Sequence, residues 1–520
     1  MTVPPFRNEP FTDFSDPKER RAFERALEKV RAAMGQRYPA IVGGETVYLD
    51  EVFPSVNPAN PSEVIGYFPN GDAELAAKAI EAAHEAFDFW KRVPYDVRAR
   101  YLFKAAAIIR RRKHEFSAAM VLEVGKNWAE ADADTAELID ALEYYGRQML
   151  RYGPPQPLEP YPGREVEQRY IPLGVGAVIT PWNFPAAIAG AMTAATIVTG
   201  NTAVFKPAEQ APYVGWLITE VFVEDLKLPP GVLNFVTGPG HIVGEAMVLH
   251  PKTRLIAFTG SKEVGIRIYE NAAKVQPGQI WLKRAILEMG GKDAILVDET
   301  ADLDAAAEGI VTSAFGFQGQ KCSACSRAIL VEEIYEPLIE RVVERTRKIT
   351  VGPPEDPNNW MGPLIDQEAY DKVMTYIEIG HDEGRLVLGG KPYEPNPTNG
   401  YFVEPTIFID VDPYARIAQE EIFGPVLAVI KAKDFEDGLR IANATEYGLT
   451  GSVYSRDRLR LEKAREEFHV GNLYFNRKCT GALIGVEPFG GFNMSGTDSK
   501  AGGPDYLLLF LQAKVISEPF

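Results

Sequence analysis

The sequence predicts an α/β protein with a doubly wound parallel sheet, a second α/β domain and a small β arm. From residue 174, short apolar runs alternate with helical patterns at a spacing of roughly 22 to 31 residues, as in βαβ units. A second series of the same kind follows residue 290. Two extended stretches, near residue 170 and at the chain end, stand apart from both series and predict the arm.

The early part of the chain is predicted to be helical. Three segments place apolar residues at three-to-four spacing among charged ones, namely PKERRAFERALEKVRAAM, AELAAKAIEAAHEAFDFW and VRARYLFKAAAIIRRRKHEF. Segments of this kind bury one face. We therefore expect three amphipathic packing helices here.

The strands of the first sheet are predicted in the runs VGAVIT, TAVFKP, VLNFVTG and RLIAFTG. The second series begins at LEMGGKDAILVDE and continues through AILVEE, PVLAVIKA and GSVYS, with helices at 301–317 and 334–348. Pro-, Gly- and Asn-rich stretches between 351 and 405 are expected to be surface excursions. In a doubly wound sheet, ligands bind beyond the carboxyl ends of the strands.

These patterns divide the chain into three parts. Residues 1–155 and 172–289 are expected to form the first domain, residues 290–488 the second, and residues 156–171 with 500–520 the β arm. Apolar strands in such places often pair with a sister subunit. We therefore expect a homo-oligomer built on dimers.

The acidic composition argues against two classes of partner. The chain has 55 Lys and Arg against 72 Asp and Glu, a formal net charge of −17. This sign disfavours binding to nucleic acid or to an anionic membrane surface. The uncharged stretch 170–205 is interrupted by prolines before a membrane-spanning helix could form. We expect a small-molecule partner, without nucleic acid or membrane.

The cysteines and histidines indicate a reducing compartment and no metal. Three cysteines in 520 residues cannot form a disulfide framework. The six histidines show no metal-ligand spacing. The first residues lack the features of a secretory signal, and their early acids are untypical of a transit peptide. We expect a cytoplasmic protein.

Three residues are candidates for nucleophilic catalysis, and each has a structural alternative. Cys322, in FGFQGQKCSACSR, is either a small buried hydrophobe or a nucleophile activated by local positive potential. Glu288 ends an apolar strand, where it either caps a turn or draws a proton from water. Asn183, in PWNFP, either forms an Asx turn or donates to an oxyanion. Cys325 completes a CxxC motif, for which a thioredoxin-like redox pair is the alternative.

Loops after the predicted strands suit a dinucleotide. The glycines of TGPGHIVG resemble a dinucleotide-binding loop, with one residue too many for GxGxxG. FTGSKEVG opens a helix whose first N–H groups suit a pyrophosphate. Two further pairs of residues follow strands or lie in turns. Lys206 and Glu209 suit ribose hydroxyls, and a surface ion pair is the alternative. Glu421 suits the other ribose and Phe423 the nicotinamide ring, and an ordinary turn is the alternative.

Eight motifs, spread in order over nearly the whole chain, together resemble the aldehyde dehydrogenase superfamily: PWNFP, FKPAE, FTGS, LEMGGK, GQKCSA, GYFVEPT, EEIFGP and PFGGFNMSG. The resemblance implies Cys322 as nucleophile, Glu288 as base, and Asn183 with the Cys322 N–H as oxyanion hole. It implies a dinucleotide-binding first domain, a catalytic second domain and an oligomerisation arm. It also implies NAD as cofactor, with NADP as an alternative, held by Ile179, Pro181, Trp182, Lys206, Glu209, Gly240, Gly244, Thr259, Gly260, Ser261, Gly265, Glu421 and Phe423.

Within the superfamily, FHVGNLYFNRKCTGALIGVEPFGGF and the residue after the nucleophile are similar to the branch that oxidises L-glutamate γ-semialdehyde in proline breakdown. That similarity implies that the N–H groups of an anchor loop hold the α-carboxylate of the substrate. The implied substrate-binding residues are Phe184, Ser323, Gly481, Ala482 and Phe489. Two cysteines depart from the pattern: Cys479 lies in the anchor loop, and Cys325 is a candidate oxidation partner.

Three other interpretations stay open at the level of sequence. The first is another semialdehyde dehydrogenase of the same superfamily. The second is a cysteine hydrolase that uses Cys322 and His469 without NAD. The third is a catalytically inactive NAD-binding protein, against which the retained Cys322 and Glu288 argue.

Overall fold

The computed structural model describes residues 3–520, which form two seven-stranded sheets, a three-stranded sheet and two pairs of strands. The strands are β1 (Gln36–Arg37), β2 (Ala40–Val42), β3 (Glu45–Val47), β4 (Val52–Asn57), β5 (Asn60–Pro69), β6 (Arg164–Pro172), β7 (Val175–Ile179), β8 (Thr202–Lys206), β9 (Leu233–Phe235), β10 (Thr253–Thr259), β11 (Arg284–Glu288), β12 (Asp293–Val297), β13 (Cys325–Val331), β14 (Arg385–Leu388), β15 (Thr406–Ile409), β16 (Val426–Ala432), β17 (Tyr447–Gly448), β18 (Thr450–Tyr454), β19 (Asn472–Phe475), β20 (Phe492–Asn493) and β21 (Leu511–Pro519).

The α-helices of the described chain are α1 (Pro17–Ala32), α2 (Ala73–Trp90), α3 (Tyr95–Arg111), α4 (Lys113–Val124), α5 (Trp128–Tyr152), α6 (Ala187–Val198), α7 (Pro212–Glu220), α8 (Glu245–Leu249), α9 (Lys262–Ala273), α10 (Leu303–Phe315), α11 (Tyr335–Thr346), α12 (Gln367–Glu383), α13 (Arg416–Gln419), α14 (Phe435–Asn443) and α15 (Arg458–Glu467). No helix within residues 3–520 combines the length and the apolarity needed to cross a membrane.

The first large sheet has the strand order β11-β10-β7-β8-β9-β2-β3. Its five strands from β11 to β9 run parallel, and β2 and β3 add an antiparallel edge. The central strands β7 and β8 are buried along their whole length, as expected when helices cover both faces of a parallel sheet. The carboxyl ends of the parallel strands therefore share one edge.

The second large sheet has the order β14-β15-β16-β13-β12-β18-β19 and is parallel except for its edge strand β14. The predicted α/β class, with its parallel sheets, is confirmed. The strands β6 and β21 pair with each other in antiparallel register from Pro172 opposite Leu511 to Arg164 opposite Pro519. The domain boundaries and the oligomerisation role of this ribbon stay predictions.

Local sequence explains where several elements begin and end. Asp72, Ser261 and Asp302 each accept a backbone N–H in the first turn of α2, α9 and α10, as good N-cap residues do. Gly125 ends α4 in the left-handed conformation, with φ of 73°. The predicted helices at 17–34 and 73–90 match α1 and α2.

Some expectations were wrong in detail. The segment 97–116 is not one helix, since α3 ends at Arg111 and α4 begins at Lys113 around a non-helical Arg112. The region between α1 and α2 contains five short strands, most of them too short to show a period of two in the sequence. The region 351–405 is only partly a surface excursion, because it contains α12 and because Met361 and Leu364 are buried.

Candidate active site

Cys322 lies in a tight loop between α10 and β13. Two residues of the preceding turn adopt left-handed backbone angles, Phe317 with φ of 49° and Gln318 with φ of 58°. The buried Gln318 side chain donates to the carbonyls of Gly125 at 3.0 Å and Pro363 at 2.8 Å. Left-handed non-glycine residues persist only where the surroundings fix them. The loop that carries the thiol is therefore held rigidly by its neighbours.

Asn183 is attached directly to the same loop. Its Nδ2 donates to the carbonyl of Gln320 at 3.1 Å, and the Gln320 side chain accepts the N–H of Ile365 at 2.9 Å. An asparagine amide has two hydrogens, so one remains for another acceptor. The structure therefore places the Asn183 amide against the loop of Cys322, at a residue two positions before the thiol, and its role in an oxyanion hole stays a prediction.

Glu288 is the last residue of β11. It lies opposite Thr259, the last residue of β10, and its carbonyl accepts the N–H of Gly260 at 3.1 Å. The hydroxyl of Ser499 donates to one carboxylate oxygen of Glu288, while the other, Oε2, is buried without a hydrogen-bond partner among the described residues. Burial raises the pKa of Glu288 to about 8.

The chain after β11 passes close to the backbone of Cys322. A Cβ on Gly291 would overlap the carbonyl oxygen of Cys322, and one on Gly290 would overlap the carboxylate of Glu421. Only glycine fits such an approach. The Glu421 carboxylate accepts the N–H of Gly291 at 2.9 Å. The glycines thus bring the segments of Glu288, Cys322 and Glu421 together.

The environment of the Cys322 thiol differs from the expectation. Burial raises its pKa well above the ordinary value, and the carboxyl groups of Asp293, Glu421 and Glu288 raise it further. Positive potential was expected here to stabilise a thiolate. The charged groups among residues 3–520 instead favour the neutral thiol. Formation of the Cys322 thiolate therefore depends on a bound group that lowers the pKa or on transfer of the thiol proton to a base.

The predicted cofactor residues converge on the carboxyl edge of the first sheet. Ile179 lies opposite Lys206 at the ends of β7 and β8, and a Cβ on Gly244 would contact both side chains. Glu209 accepts the N–H of Gly240 at 2.9 Å, which joins the loop after β8 to the loop after β9.

Lys206 is buried and forms no ion pair with an acidic side chain of residues 3–520. Its Nζ is hydrogen-bonded to the Pro207 carbonyl at 3.1 Å, and its side chain is 3% exposed. Burial lowers the pKa of Lys206 to about 8. A buried amine with one weak partner has donors free for a ligand. The first turn of α9, capped by Ser261, lies beyond the end of β10, where its N–H groups can receive an anion.

Two aromatic side chains that are distant in the chain are in contact at this site. The rings of Trp182 and Phe423 meet edge to face, with centroids 5.5 Å apart. Phe423 has a φ of 60°, a second position of left-handed backbone beside the nucleophile's loop. Pro181 is half-buried beside Trp182, and Gly265 is buried in α9, where a Cβ would overlap Met289.

The predicted substrate residue Phe184 rests on a buried ion pair. Lys126 Nζ lies 3.8 Å from the centroid of the Phe184 ring and 4.7 Å from that of Phe317. The same Nζ donates to Asp134 at 2.7 Å, and both members of the pair are fully buried. Asp134 also accepts the N–H of Ala187 at 2.7 Å, at the start of α6. The ion pair therefore fixes Phe184 relative to two helices.

The predicted anchor loop connects β19 to β20. Gly481 is exposed, with φ of 79°, and Ala482 is half-buried. Arg477 and Glu487 form an ion pair that closes the base of the loop. Phe489, also half-buried, exchanges both backbone hydrogen bonds with Ala501 at 2.9 Å.

The anchor loop contacts the nucleophile's loop through Cys479. Its thiol donates to the carbonyl of Ser323 at 3.4 Å, and its N–H donates to Ser313 at 3.2 Å. The Cys325 thiol is buried and lies within hydrogen-bonding distance of Cys479. Cys325 is thus a partner of Cys479 in the core at the start of β13, a position that does not fit an accessible thioredoxin-like pair.

His469 does not support the hydrolase alternative. It is exposed, its N–H donates to Asn443 at 2.9 Å, and its ring lies 5.0 Å from that of Phe492. A cysteine hydrolase needs a histidine in hydrogen-bond reach of the thiol. The hydrogen bonds of residues 3–520 include none between His469 and Cys322.

Several residues of the site were not identified from sequence. Gln318, Gln320, Lys126 and Ser499 each contact a residue that is distant in the chain. Polar residues of these types carry no local signal of a distant partner. Within the described chain, no group of three or more His, Cys, Asp or Glu side chains could hold a metal ion.

Comparison with known proteins identifies the family. Residues 47–516 match the aldehyde dehydrogenase family. The chain is 61% identical over 518 residues to a 1-pyrroline-5-carboxylate dehydrogenase of Geobacillus sp. (strain WCH70) and 56% identical over 520 residues to that of Bacillus subtilis (strain 168), in each case over 100% of both chains. A solved 1-pyrroline-5-carboxylate dehydrogenase from Thermus with bound NAD superimposes with a TM-score of 0.98 at 56% identity, again over 100% of both chains. The chain therefore belongs to the aldehyde dehydrogenase family.

Proposed function

We propose that this protein oxidises L-glutamate γ-semialdehyde, the open form of 1-pyrroline-5-carboxylate, to L-glutamate with NAD in proline breakdown. One structural observation carries the proposal. The loop of Cys322 contacts three segments at once: the Asn183 amide through the Gln320 carbonyl, the glycines after Glu288 through the Cys322 carbonyl, and the predicted anchor loop through Cys479. The names of the full-length relatives support the same substrate.

The residues at the sheet edge fit NAD. The Lys206 ammonium and the Glu421 carboxylate suit ribose hydroxyls, and the first turn of α9 suits the pyrophosphate. Glu209 suits the adenosine ribose diol, and its negative charge would repel the phosphate of NADP. When bound, the oxidised nicotinamide supplies a hydride acceptor and a positive charge.

The residues around Cys322 account for the chemistry. The thiolate adds to the aldehyde carbon, and the negative charge that develops on oxygen is stabilised by the Asn183 amide and the Cys322 N–H. Loss of hydride from that carbon leaves a thioester on Cys322. Glu288 removes a proton from water, which attacks the thioester and releases the carboxylate product and the thiol. One aldehyde, one oxidised NAD and one water thus give one carboxylate, one NADH and two protons.

The substrate's α-carboxylate is held at the anchor loop in this proposal. The N–H groups of Gly481 and Ala482, with the Ser323 hydroxyl, form the anion site. Phe184 packs on the aliphatic chain, and Phe489 closes the other side. Simple aldehydes lack the carboxylate and therefore use only part of the site.

The assay is direct. Purified protein with NAD and 1-pyrroline-5-carboxylate should form NADH, with a kcat/KM well above those for succinate semialdehyde and propanal, and above that with NADP. A preference for succinate semialdehyde would assign another branch of the family. Ester hydrolysis without any NADH formation from aldehydes would overturn the proposal.

We also propose that the enzyme is a homo-oligomer built on dimers. Large apolar side chains are exposed on and after α9, including Tyr269 at 59%, Ile280 at 85% and Leu282 at 77%. Exposed apolar patches mark association surfaces in many proteins. Light scattering coupled to size-exclusion chromatography should give a mass of two or more chains, and a monomer at micromolar concentration would contradict the proposal.

A further inference from the structure

The N-terminal strap, residues 3–14, crosses the molecule to the anchor loop. Its hydrogen bonds to α5 span 131 and 132 residues of the chain, and its hydrogen bond to the anchor loop spans 476. Its contacts connect α5 with the anchor loop.

Asn8 is the residue that makes the connection. Its Nδ2 donates to the Asp140 carboxylate at 2.8 Å and to the carbonyl of Ile484 at 3.0 Å. The N–H of Glu9 donates to the other oxygen of Asp140 at 2.6 Å. Asp140 is 4% exposed. Both hydrogens of the Asn8 amide are therefore used, one on α5 and one on the backbone that follows Ala482.

A second contact lies one residue further along the loop. The Phe6 ring packs on Tyr144 of α5, with centroids 5.1 Å apart. A Cβ on Gly485 would lie 3.1 Å from the edge of the same ring, and Gly485 has φ of 78°. The strap thus contacts the anchor loop through a side chain as well as through a hydrogen bond.

At this end the anchor loop is held by a turn, in which the N–H groups of Val486 and Glu487 donate to the Leu483 carbonyl at 3.1 and 2.8 Å. Residues 476–491 form no helix or strand. The Arg477–Glu487 pair closes the base, and the N–H of Gly485 donates to Gly502 at 2.9 Å. The hydrogen bonds of the described chain give the Ile484 carbonyl no partner besides Asn8. Removing the Asn8 amide would therefore take away the hydrogen bond that restrains the Ile484 carbonyl, although the Ile484 side chain stays buried in the core.

We propose that Asn8 is a positioning residue for substrate carboxylate binding: the strap holds the anchor loop so that its N–H groups stay aimed at the substrate. This inference rests on the proposed function, because it assigns the α-carboxylate to Gly481 and Ala482. Groups that bind a ligand must be held within a fraction of an ångström of their working positions. The strap provides that restraint from outside the loop.

The test compares two aldehydes and two strap variants. In Asn8→Ala, KM for L-glutamate γ-semialdehyde should rise by about 3- to 10-fold, the loss expected for one hydrogen bond, with kcat changed less than about 2-fold. Propanal, which lacks the carboxylate, should keep its kcat/KM. Hydrogen exchange should accelerate in the peptide covering residues 481–487.

Thr12→Val is the matched control. Thr12 bonds the strap to Asp132 of α5, through its hydroxyl at 2.6 Å, without touching the anchor loop. This variant should lower the melting temperature by an amount similar to Asn8→Ala and leave both kinetic constants unchanged. If Asn8→Ala does not fold, Phe6→Leu tests the second contact and should raise KM for the semialdehyde selectively.

The outcomes separate this inference from the proposed function. If the wild-type enzyme does not prefer the semialdehyde to propanal, the proposed function fails. If it does, and the folded strap variant leaves KM for the semialdehyde unchanged or weakens both aldehydes equally, the positioning role is overturned and the function stands.

Discussion

The hydroxyl of Ser499 donates a hydrogen bond to the carboxylate of Glu288, although 211 residues separate them in the chain. The bond favours the ionised form of a carboxyl group whose pKa burial raises to about 8. Ser499 occupies one oxygen and leaves the other for water. A donor of this kind helps to keep a buried carboxyl group ionised, as the proposed role of Glu288 as a base requires.

Glu288→Gln should separate the two halves of the reaction. The amide keeps the size of the side chain but cannot take a proton from water. We expect a burst of NADH of about one per active site, followed by steady turnover that is lower by about 10²- to 10⁴-fold. Stopped-flow absorbance measures both phases. The exposed Glu344→Gln should behave as wild type, and loss of the burst would contradict the assignment.

The pH dependence of turnover should report Glu288 and Ser499. With a pKa near 8, only about a tenth of Glu288 is ionised at pH 7. Where thioester hydrolysis limits the rate, kcat should therefore rise with pH, reach half its maximum near pH 8 and level off above about 9. In Ser499→Ala the carboxylate loses a donor, so its pKa increases and the rise should move to higher pH by about one pH unit.

Ser62→Ala, which removes a hydroxyl from an exposed serine, is the control for the pH profile of kcat. It should leave the position of the rise unchanged. An identical profile for Ser499→Ala and wild type would show that the hydrogen bond does not tune the base.

Ala482→Val should test the anchor loop. A larger side chain at this half-buried position displaces the N–H groups that are proposed to hold the α-carboxylate. We expect kcat/KM for L-glutamate γ-semialdehyde to fall by about 10- to 100-fold, as for loss of a charged hydrogen bond, and that for propanal by less than about 2-fold. The exposed Val486→Ala, in the same loop, is the control. Equal losses for both aldehydes would contradict the anchor.

Lys126→Met should destabilise the protein by leaving Asp134 buried and unpaired. We expect a loss of about 3–5 kcal/mol in the free energy of unfolding, the usual cost of breaking a buried ion pair. The double variant Lys126→Met/Asp134→Asn should regain most of this stability, because it removes the uncompensated charge and keeps an acceptor for Ala187. Denaturant unfolding measures both.

The same double variant tests the position of Phe184. Since no ammonium then lies under the ring, KM for the semialdehyde should rise by about 3-fold even in a stable protein, as expected for one cation–π contact. An unchanged KM would show that packing alone orients Phe184.

The sequence by itself determined the fold class and, through its motifs, the family, and it identified candidate residues for the proposed reaction. Strand and helix periods arise from local burial, so the runs ending at Ile179, Lys206, Thr259 and Glu288 could be identified along the chain. Because carboxyl ends of parallel strands share an edge, their side chains could also be predicted to meet there.

Tertiary structure alone decided the surroundings that set the chemistry. The partners of Glu288, Asn183 and Phe184 are Ser499, Gln320 and Lys126, which come from distant segments and carry no local pattern. The charges around Cys322 were likewise unforeseen, because a pKa depends on every group within a few ångströms in space. The contact between the strap and the anchor loop could not be predicted from sequence either. Periodicity indicates which face of a helix or strand is buried, whereas the group that packs against that face is determined only in the folded chain.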